Sequence, residues 1–264
     1  MTHHDILQTA MQQSAEDMGC SADDFLADHP VLVPFLMGPG ARRYLKEPMT
    51  AHLVSYGHNI VAGVAPDVQE EISAYIQRED FYHCFETPSL YALNQKLEKK
   101  GYTTCFMAEY YLPSSAGIPS LTCPVEARLL YQEDFQSLYL PEWSNALCED
   151  RKELDVLGVG AYEDGHLVGL AACSRDCEEM WQIGIDVLPA YRHLGIASSL
   201  TARLAREILN RGKVPFYCSA WSNIPSVRNA IRSGFLPSWV ELTVKPVSVV
   251  QDFNKEQLLM QDPE

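Results

Sequence analysis

The chain has 264 residues, of which 47% are hydrophobic and 10% aromatic, so it can bury the core of one large or two modest domains. Its net charge of −15 argues against nucleic acids and anionic membranes as partners, and it fits either a cationic small molecule or simple solubility. Because there is no bilayer-length apolar run and no secretory signal pattern, we expect a cytoplasmic protein.

Eight cysteines are scattered along the chain, several of them inside strand-like runs such as TTCFMA and PFYCSA. This usage is typical of reduced, buried thiols in a cytosolic protein. Cys173 and Cys177 have a spacing that a metal site can use, but no second pair completes one. We therefore expect no bound metal.

The first part of the chain, residues 1–113, predicts a small α/β domain. Helical patterns cover residues 3–19 and 21–28, and Ser21 is a candidate N-cap. The run AHLVSYGHNIVAGVA, residues 51–65, predicts two strands around a turn. Two further helices follow, one starting at Pro66 and one closed by Gly101, before the β-rich run TTCFMAEYYL.

Residues 114–124 are dense in proline, serine and glycine, which predicts a linker. A second domain, residues 125–247, then shows the element order β-α-β-β-β-α-β-α-β, which predicts an α/β fold with a mixed sheet and helices on its faces. Its parts include a helix over QEDFQSLYLPEWSNAL broken near Pro141, a hairpin over residues 155–174, a long strand in EEMWQIGIDVL and a helix over 197–211. Residues 248–264 are predicted to be an acidic tail.

The stretch YRHLGIAS, residues 191–198, lies where that long strand passes into the helix. A helix N-terminus has unpaired N–H groups and a dipole that favour an anion, especially phosphate. Gly195 and Ala197 remove side-chain bulk at this point, and Arg192 adds a positive charge. A plain strand–helix turn is the alternative interpretation of the same residues.

Two motifs in this domain resemble the GCN5-related N-acetyltransferase (GNAT) superfamily. Residues 192–197, RHLGIA, resemble its (Gln/Arg)-x-x-Gly-x-(Gly/Ala) signature, and the preceding VLPAYR is also similar. SNIPSVRNAIRSGF, residues 222–235, resembles the second cofactor motif, with Asn223, Ser226, Ala230 and Gly234 in matching places. The resemblance covers roughly residues 125–245.

The resemblance implies acetyl-CoA as cosubstrate and an acetyltransferase fold over residues 125–247. The pyrophosphate would lie on backbone N–H groups of residues 193–198, and the pantetheine arm would run beside the strand that ends at Val187. A backbone N–H near Val187 would polarise the acetyl carbonyl. Asn223 would position the pantetheine arm, although an N-cap role explains it equally well. The implied cofactor-binding residues are Ile185, Asp186, Val187, Arg192, His193, Leu194, Gly195, Ile196, Ala197, Ser198, Asn223 and Ser226.

The catalytic groups are less well marked. At the position where the family often has a glutamate base, this chain has Trp181, and where many relatives have a tyrosine acid it has Ala230. Glu179 shares a strand face with Trp181 by alternation and is our candidate base, with a solvated strand-end glutamate as the alternative. Basic residues of the following helix, Arg203 and Arg206 among them, either meet the 3′-phosphate or form a solvated face.

Two functions are compatible with these residues. The first is acetyl-CoA-dependent N-acyl transfer to an amine of a small molecule or peptide, by direct attack in a ternary complex. The second is non-catalytic binding or sensing of acyl-CoA, which the missing glutamate and tyrosine permit. Residues 1–113 are expected either to form part of the acceptor site or to have a stabilising or oligomerisation role.

Overall fold

The computed structural model describes residues 1–46, 49–77 and 81–261. For residue 46 and residues 256–261 only the backbone is described. The chain divides into two compact units. One contains Met1–Ala10 and Glu109–Ser238, and the other contains Met11–Ala108 and the chain from Trp239 onward.

The helices and strands follow one another along the chain with short 3₁₀ turns between them. The helices are α1 (His3–Met18), α2 (Gln69–Ile76), α3 (Thr87–Leu97), α4 (Ile196–Asn210), α5 (Ile224–Arg232) and α6 (Val247–Gln261). The strands are β1 (Val31–Pro34), β2 (Ala51–Ser55), β3 (Val61–Val64), β4 (Tyr102–Pro113), β5 (Glu126–Tyr131), β6 (Asp155–Glu163), β7 (His166–Ser174), β8 (Met180–Val187), β9 (Val214–Ser219) and β10 (Phe235–Pro246).

The first unit is built on strands in the order β4-β9-β8-β7-β6-β5. Strands β8 and β9 run parallel, and the other neighbouring pairs in this series run antiparallel. Leu200, Leu204 and Ile208 on one face of α4 are fully buried against this sheet. The opposite sheet face is covered by Phe135, Trp143 and their neighbours. The predicted mixed sheet with helices on its faces is confirmed.

The second unit is built on strands in the order β1-β3-β2-β10. One face of these strands, with Leu53 and Leu242, packs against apolar residues of α2 and α3. The alternate residues His52 and Glu241 point to the other face, where they meet in a buried cluster of charged and polar side chains. The unit thus has an apolar core on one side of its sheet and an ionic one on the other.

Several sequence predictions are confirmed at the level of single elements. Strands β6 and β7 form the expected hairpin, with left-handed residues at Asp164 and Gly165. The Ser21 side chain accepts a hydrogen bond from the Asp23 N–H, so it is the N-cap of the 3₁₀ turn Ala22–Leu26. Gly101 ends the segment after α3 with a φ of 83°.

Two segments differ from the prediction. Residues 132–147 were expected to be a broken helix, but they form only the 3₁₀ turns Gln132–Phe135 and Pro141–Trp143. At the end of this segment the N–H of Asn145 bonds to the Asp186 carboxylate, and the N–H of Ala146 is shared between that carboxylate and the Trp143 carbonyl. The expected acidic tail is the helix α6 as far as Gln261, and residues 262–264 lie outside the described residues.

Residues 114–124, predicted to be a linker, lie within the first unit. The N–H of Ser114 bonds to the Gly234 carbonyl, and the Pro119 carbonyl accepts a hydrogen bond from Arg206 of α4. The segment is therefore hydrogen-bonded to the turn after α5 and to α4. Whether it also separates functional domains stays a prediction.

Candidate functional site

The parallel strands β8 and β9 are paired over only part of their length. The register runs from Met180 opposite Val214 to Gln182 opposite Phe216, and no described residue continues it. The other edge of β8 stays paired with β7 as far as Val187. Residues 183–187 therefore present one backbone edge, with its N–H and C=O groups, to a gap inside the sheet.

The chain turns sharply between β8 and α4. A 3₁₀ turn, Pro189–Tyr191, follows the strand, and the Nε of Arg192 donates to the Val187 carbonyl at 3.0 Å. His193 and Gly195 both have left-handed backbones, with φ of 67° and 86°. A Cβ atom at Gly195 would meet nothing within 4 Å, so the glycine is explained by its φ and by open space rather than by packing.

The first turn of α4 begins directly after this glycine. Gly195 is the N-cap, and because it has no side chain it leaves the N–H groups of that turn without a side-chain cap. Residues 192–195 are exposed, whereas the Ile196 side chain is buried in the core. The α4 N-terminus thus presents backbone donors and the positive end of a 15-residue helix at an open surface.

The three predicted residues of β8 have different surroundings. The side chains of Ile185 and Val187 pack towards the apolar core beneath α4. The Asp186 side chain points to the opposite face, where it accepts hydrogen bonds from the N–H of Asn145, the N–H of Ala146 and the Asn145 side chain at 2.7–2.9 Å. Asp186 is thus left with only its backbone for a ligand in the gap, as the resemblance implied.

The second motif is held at the start of α5. The Oδ1 of Asn223 accepts from the Ser226 N–H at 3.2 Å, so Asn223 is an N-cap and its side-chain nitrogen remains at an exposed position. The Ser226 hydroxyl lies 2.7 Å from the hydroxyl of Tyr217 on β9. Burial raises the pKa of Tyr217, which keeps this hydroxyl protonated. The motif residues are therefore anchored to the strand that borders the gap.

The candidate base Glu179 is not brought to this gap. It precedes β8, its carbonyl accepts from the Val214 N–H, and its carboxylate pairs with Lys213 at 3.1 Å while 57% exposed. At about 3.3 Å per strand residue, it lies roughly 13 Å along the strand from Ile183, where the gap opens. This placement matches the alternative interpretation, a solvated glutamate at a strand end.

The basic residues of α4 are used inside the unit. Arg203 donates to the Ala127 carbonyl at 2.8 Å, and Arg206 donates to the Pro119 carbonyl at 2.9 Å. Arg211 bonds to Glu207 one turn earlier. These contacts fasten α4 to β5 and to residues 114–124. The guanidinium groups of Arg203 and Arg206 are therefore already hydrogen-bonded within the unit instead of pointing to a phosphate site.

One polar group on β4, the strand next to β9, was missed by the sequence analysis. Glu109 of β4 lies opposite Ser219, the last residue of β9, and accepts a hydrogen bond from the Tyr111 hydroxyl at 2.5 Å. Tyr111 also lies 3.2 Å from the Ser219 hydroxyl. The alternation in AEYYL places Glu109 and Tyr111 on one strand face. Local sequence patterns do not, however, predict that β4 pairs with β9, which lies more than 100 residues later in the chain.

Neither a metal cluster nor a membrane helix is present in the described parts of the chain. Residues 1–46, 49–77 and 81–261 contain no group of three or more histidine, cysteine and acidic side chains placed to hold a metal ion. The same ranges contain no helix that is long and apolar enough to cross a bilayer.

Comparison with known proteins agrees with the geometry. A family model described as "Acetyltransferase (GNAT) family" matches residues 125–235, which include the gap, the turn and α5. Residues 125–235 form a GNAT domain. No curated protein matches the chain.

Solved structures that match parts of the chain include proteins described as GNAT acetyltransferases. One from Novosphingobium aromaticivorans is 21% identical, with a TM-score of 0.41 over 55% of this chain and 66% of that protein. One from Colwellia psychrerythraea is 14% identical, with a TM-score of 0.42 over 57% and 60%. One from Streptococcus suis is 16% identical, with a TM-score of 0.46 over 76% and 90%. The chain thus spans less than two thirds of the length of the first two.

Proposed function

We propose that this protein transfers an acetyl group from acetyl-CoA to an amine, by direct attack of the amine on the bound thioester. The observation that carries the proposal is the interrupted pairing of β8 with β9 directly before an uncapped helix N-terminus. A pantetheine arm can fill the missing strand position by bonding to the edge of residues 183–187, on which the Val187 carbonyl already accepts one hydrogen bond from Arg192. A pyrophosphate can then accept hydrogen bonds from the N–H groups of residues 193–198.

The residues of the gap fit such a ligand. The strand edge supplies amide donors and acceptors for an amide-containing arm, and the N–H groups near Val187 face the place where a thioester carbonyl would be polarised. Open space at Gly195 admits a phosphate close to the backbone. Because these contacts come from the backbone, they do not depend on the family's missing glutamate and tyrosine.

The acceptor is proposed to be an amine of a small molecule or peptide, and a cationic acceptor would be compatible with the net charge of −15. A cytoplasmic location also stays a prediction. The competing function, acyl-CoA binding without catalysis, uses the same cofactor site and therefore predicts binding without turnover.

Two variants of α4 test the cofactor site. Gly195→Glu places bulk and negative charge at the proposed phosphate position, whereas Gly212→Glu places them after the other end of the same helix. Both glycines are left-handed, with φ of 86° and 75°, and a Cβ at either meets nothing within 4 Å, so the backbone strain is matched. In calorimetry Gly195→Glu is expected to abolish acetyl-CoA binding, while Gly212→Glu retains it. If both folded variants bind acetyl-CoA with equal affinity, the assignment of the phosphate site to Gly195 is wrong.

Transfer is tested on the unmodified protein with hydroxylamine as acceptor. Release of CoA thiol that depends on hydroxylamine and exceeds the rate of the same mixture without protein supports catalysis. Tight acetyl-CoA binding without any such release favours the binding or sensing function instead.

A further inference from the structure

Glu109 lies one strand away from the gap, on the sheet face where the family's base is missing. Tyr111 and Tyr217, which lie opposite each other on β4 and β9, face the same core as Trp181 and Ile183 of β8. By strand alternation Glu109 and Ser219 point to that face as well. The carboxylate therefore belongs to the side of the sheet on which Trp181 occupies the usual base position.

One strand, β9, separates Glu109 from the gap. A ligand in place of the missing β8–β9 pairing would run directly along β9, and β4 is the next strand, about 5 Å further. Glu109 lies opposite Ser219, at the end of β9 where the two parallel strands have already parted. The ligand and β4 are therefore about two strand spacings apart, with β9 between them. The Tyr111 hydroxyl, which donates to Glu109, also lies 3.2 Å from the Ser219 hydroxyl on β9. The carboxylate is thus held near β9, where it can reach an acceptor nitrogen that extends from the thioester over this strand.

The Glu109 carboxylate is held in place by a hydrogen bond and remains partly accessible to solvent. Tyr111 is fully buried, and its hydroxyl donates to Glu109 Oε2. Burial and the hydrogen bond to Glu109 raise the pKa of Tyr111 to about 12, so near neutral pH the tyrosine stays protonated and remains the donor. Glu109 itself is only partly buried, which leaves it open to an incoming group.

We propose that Glu109 is the general base that takes the proton from the acceptor amine, and that Tyr111 is a positioning residue that orients it. This inference rests on the proposed acetyl transfer. It assigns to β4 a role that no residue of the two GNAT motifs supplies.

An acceptor ammonium gives one proton to the Glu109 carboxylate, and its freed lone pair forms the new C–N bond at the thioester carbonyl carbon. The C–S bond breaks, and its electron pair leaves on the sulfur as the CoA thiolate. The second nitrogen proton passes to that thiolate, which yields the amide and CoA thiol, and Glu109 then releases its proton to water.

Other acidic side chains near the gap fit this role less well. Asp186 points to the opposite sheet face and is saturated by Asn145 and Ala146. Glu179 is paired with Lys213 at the far end of β8. Glu126, at the start of β5, is bonded to Arg128 and lies five strands from β4 in the sheet order.

The test compares an acceptor that needs a base with one that does not. Water attacks a thioester only when a base takes its proton, whereas hydroxylamine is a strong nucleophile that is already unprotonated near neutral pH. Acetyl-CoA hydrolysis and acetyl transfer to hydroxylamine are measured on the full chain for Glu109→Gln and Tyr111→Phe. Glu126→Gln is the matched control, an exposed glutamate of the same unit that also has a hydrogen-bond partner.

Glu109→Gln is expected to lower kcat for hydrolysis about 100-fold while transfer to hydroxylamine stays within a few-fold of the unmodified protein. Tyr111→Phe is expected to lower the ratio of the hydrolysis rate to the hydroxylamine transfer rate as well, but by less than Glu109→Gln does. Its KM for acetyl-CoA is expected to stay unchanged. Glu126→Gln is expected to leave both rates unchanged.

Three results would overturn the proposal. In the first, both reactions fall equally in Glu109→Gln, which indicates a structural role. In the second, hydrolysis is unaffected in Glu109→Gln, or falls in Glu179→Gln instead. In the third, the unmodified protein binds acetyl-CoA but transfers to neither acceptor. This last result removes the transfer function itself and is thereby distinguished from a wrong choice of base.

Discussion

Gly184 of β8 lies directly against the backbone carbonyl of Asn145, so closely that a Cβ atom at Gly184 would overlap the carbonyl oxygen. Two residues further along the strand, Asp186 binds the N–H groups of Asn145 and Ala146. The loop after the 3₁₀ turn at Pro141 thus packs on β8 for two reasons. Gly184 has no side chain, which lets the loop backbone come close, and the Asp186 carboxylate binds the loop N–H groups. This contact fixes the loop on the sheet face opposite α4.

We predict that Gly184→Ala displaces this loop and destabilises the protein. The added methyl group meets backbone atoms rather than a flexible side-chain end, so the loop must move, and overpacking of this kind costs about 1–3 kcal/mol. Urea unfolding monitored by tryptophan fluorescence measures the loss. An unchanged unfolding midpoint would show that the loop is not held where the structure places it.

This contact also shows which parts of the site the sequence could reveal. The run WQIGIDV predicts the strand, and RHLGIA predicts the turn and the helix start, because those signals are local. The partner of Gly184 lies about 40 residues earlier, in a segment whose composition favours a helix. Glu109 was missed for the same reason, since its neighbour Ser219 is brought to it only by the pairing of β4 with β9. Long-range pairing, not propensity, assembles this part of the site.

A second prediction concerns the buried ionic cluster of the second unit. Arg42 is 1% exposed, and its guanidinium bonds to Asp17 and to Glu241 at 2.6 Å each. Burial opposes the charge on Glu241, but Arg42 and His52 outweigh it and hold the pKa of that carboxyl well below its usual range. Arg42→Met leaves two buried carboxylates without their cation.

Such a loss costs about 3–5 kcal/mol in the free energy of unfolding, because the uncompensated charges remain buried. The neighbouring Arg43 is exposed, so Arg43→Met is a matched control that is expected to stay within about 0.5 kcal/mol of the unmodified protein. Guanidinium or urea unfolding of the two variants measures the difference. Similar stabilities for Arg42→Met and Arg43→Met would contradict the role assigned to the cluster.

A third prediction is a pH dependence of stability that comes from Asp155. Burial raises the pKa of this carboxyl from 3.8 to about 6, against the opposing hydrogen bonds from the Cys148 N–H and the Tyr139 hydroxyl. The folded state therefore binds this proton more tightly than the unfolded state does. Stability from this group is present at low pH and is lost as the pH rises from about 4 to about 6.

Asp155→Asn is expected to remove that component, because the amide cannot ionise. Urea unfolding at several pH values across the window measures it as the difference between the two proteins, which cancels the titration of other groups. The free energy of unfolding of Asp155→Asn should fall less over this range than that of the unmodified protein. Parallel curves would show that Asp155 titrates alike in the folded and unfolded states.

The last prediction separates the two roles of Asn223. Its Oδ1 caps α5 through the Ser226 N–H, and its side-chain nitrogen is proposed to hold the pantetheine arm. Serine is also a good N-cap but lacks an amide nitrogen, whereas alanine provides neither group. Asn223→Ser is therefore expected to keep the unfolding midpoint and weaken acetyl-CoA binding, while Asn223→Ala weakens binding and loses about 1 kcal/mol of stability as well. Calorimetry and urea unfolding measure the two effects separately, and acetyl-CoA affinity as high in Asn223→Ser as in the unmodified protein would leave Asn223 with the cap alone.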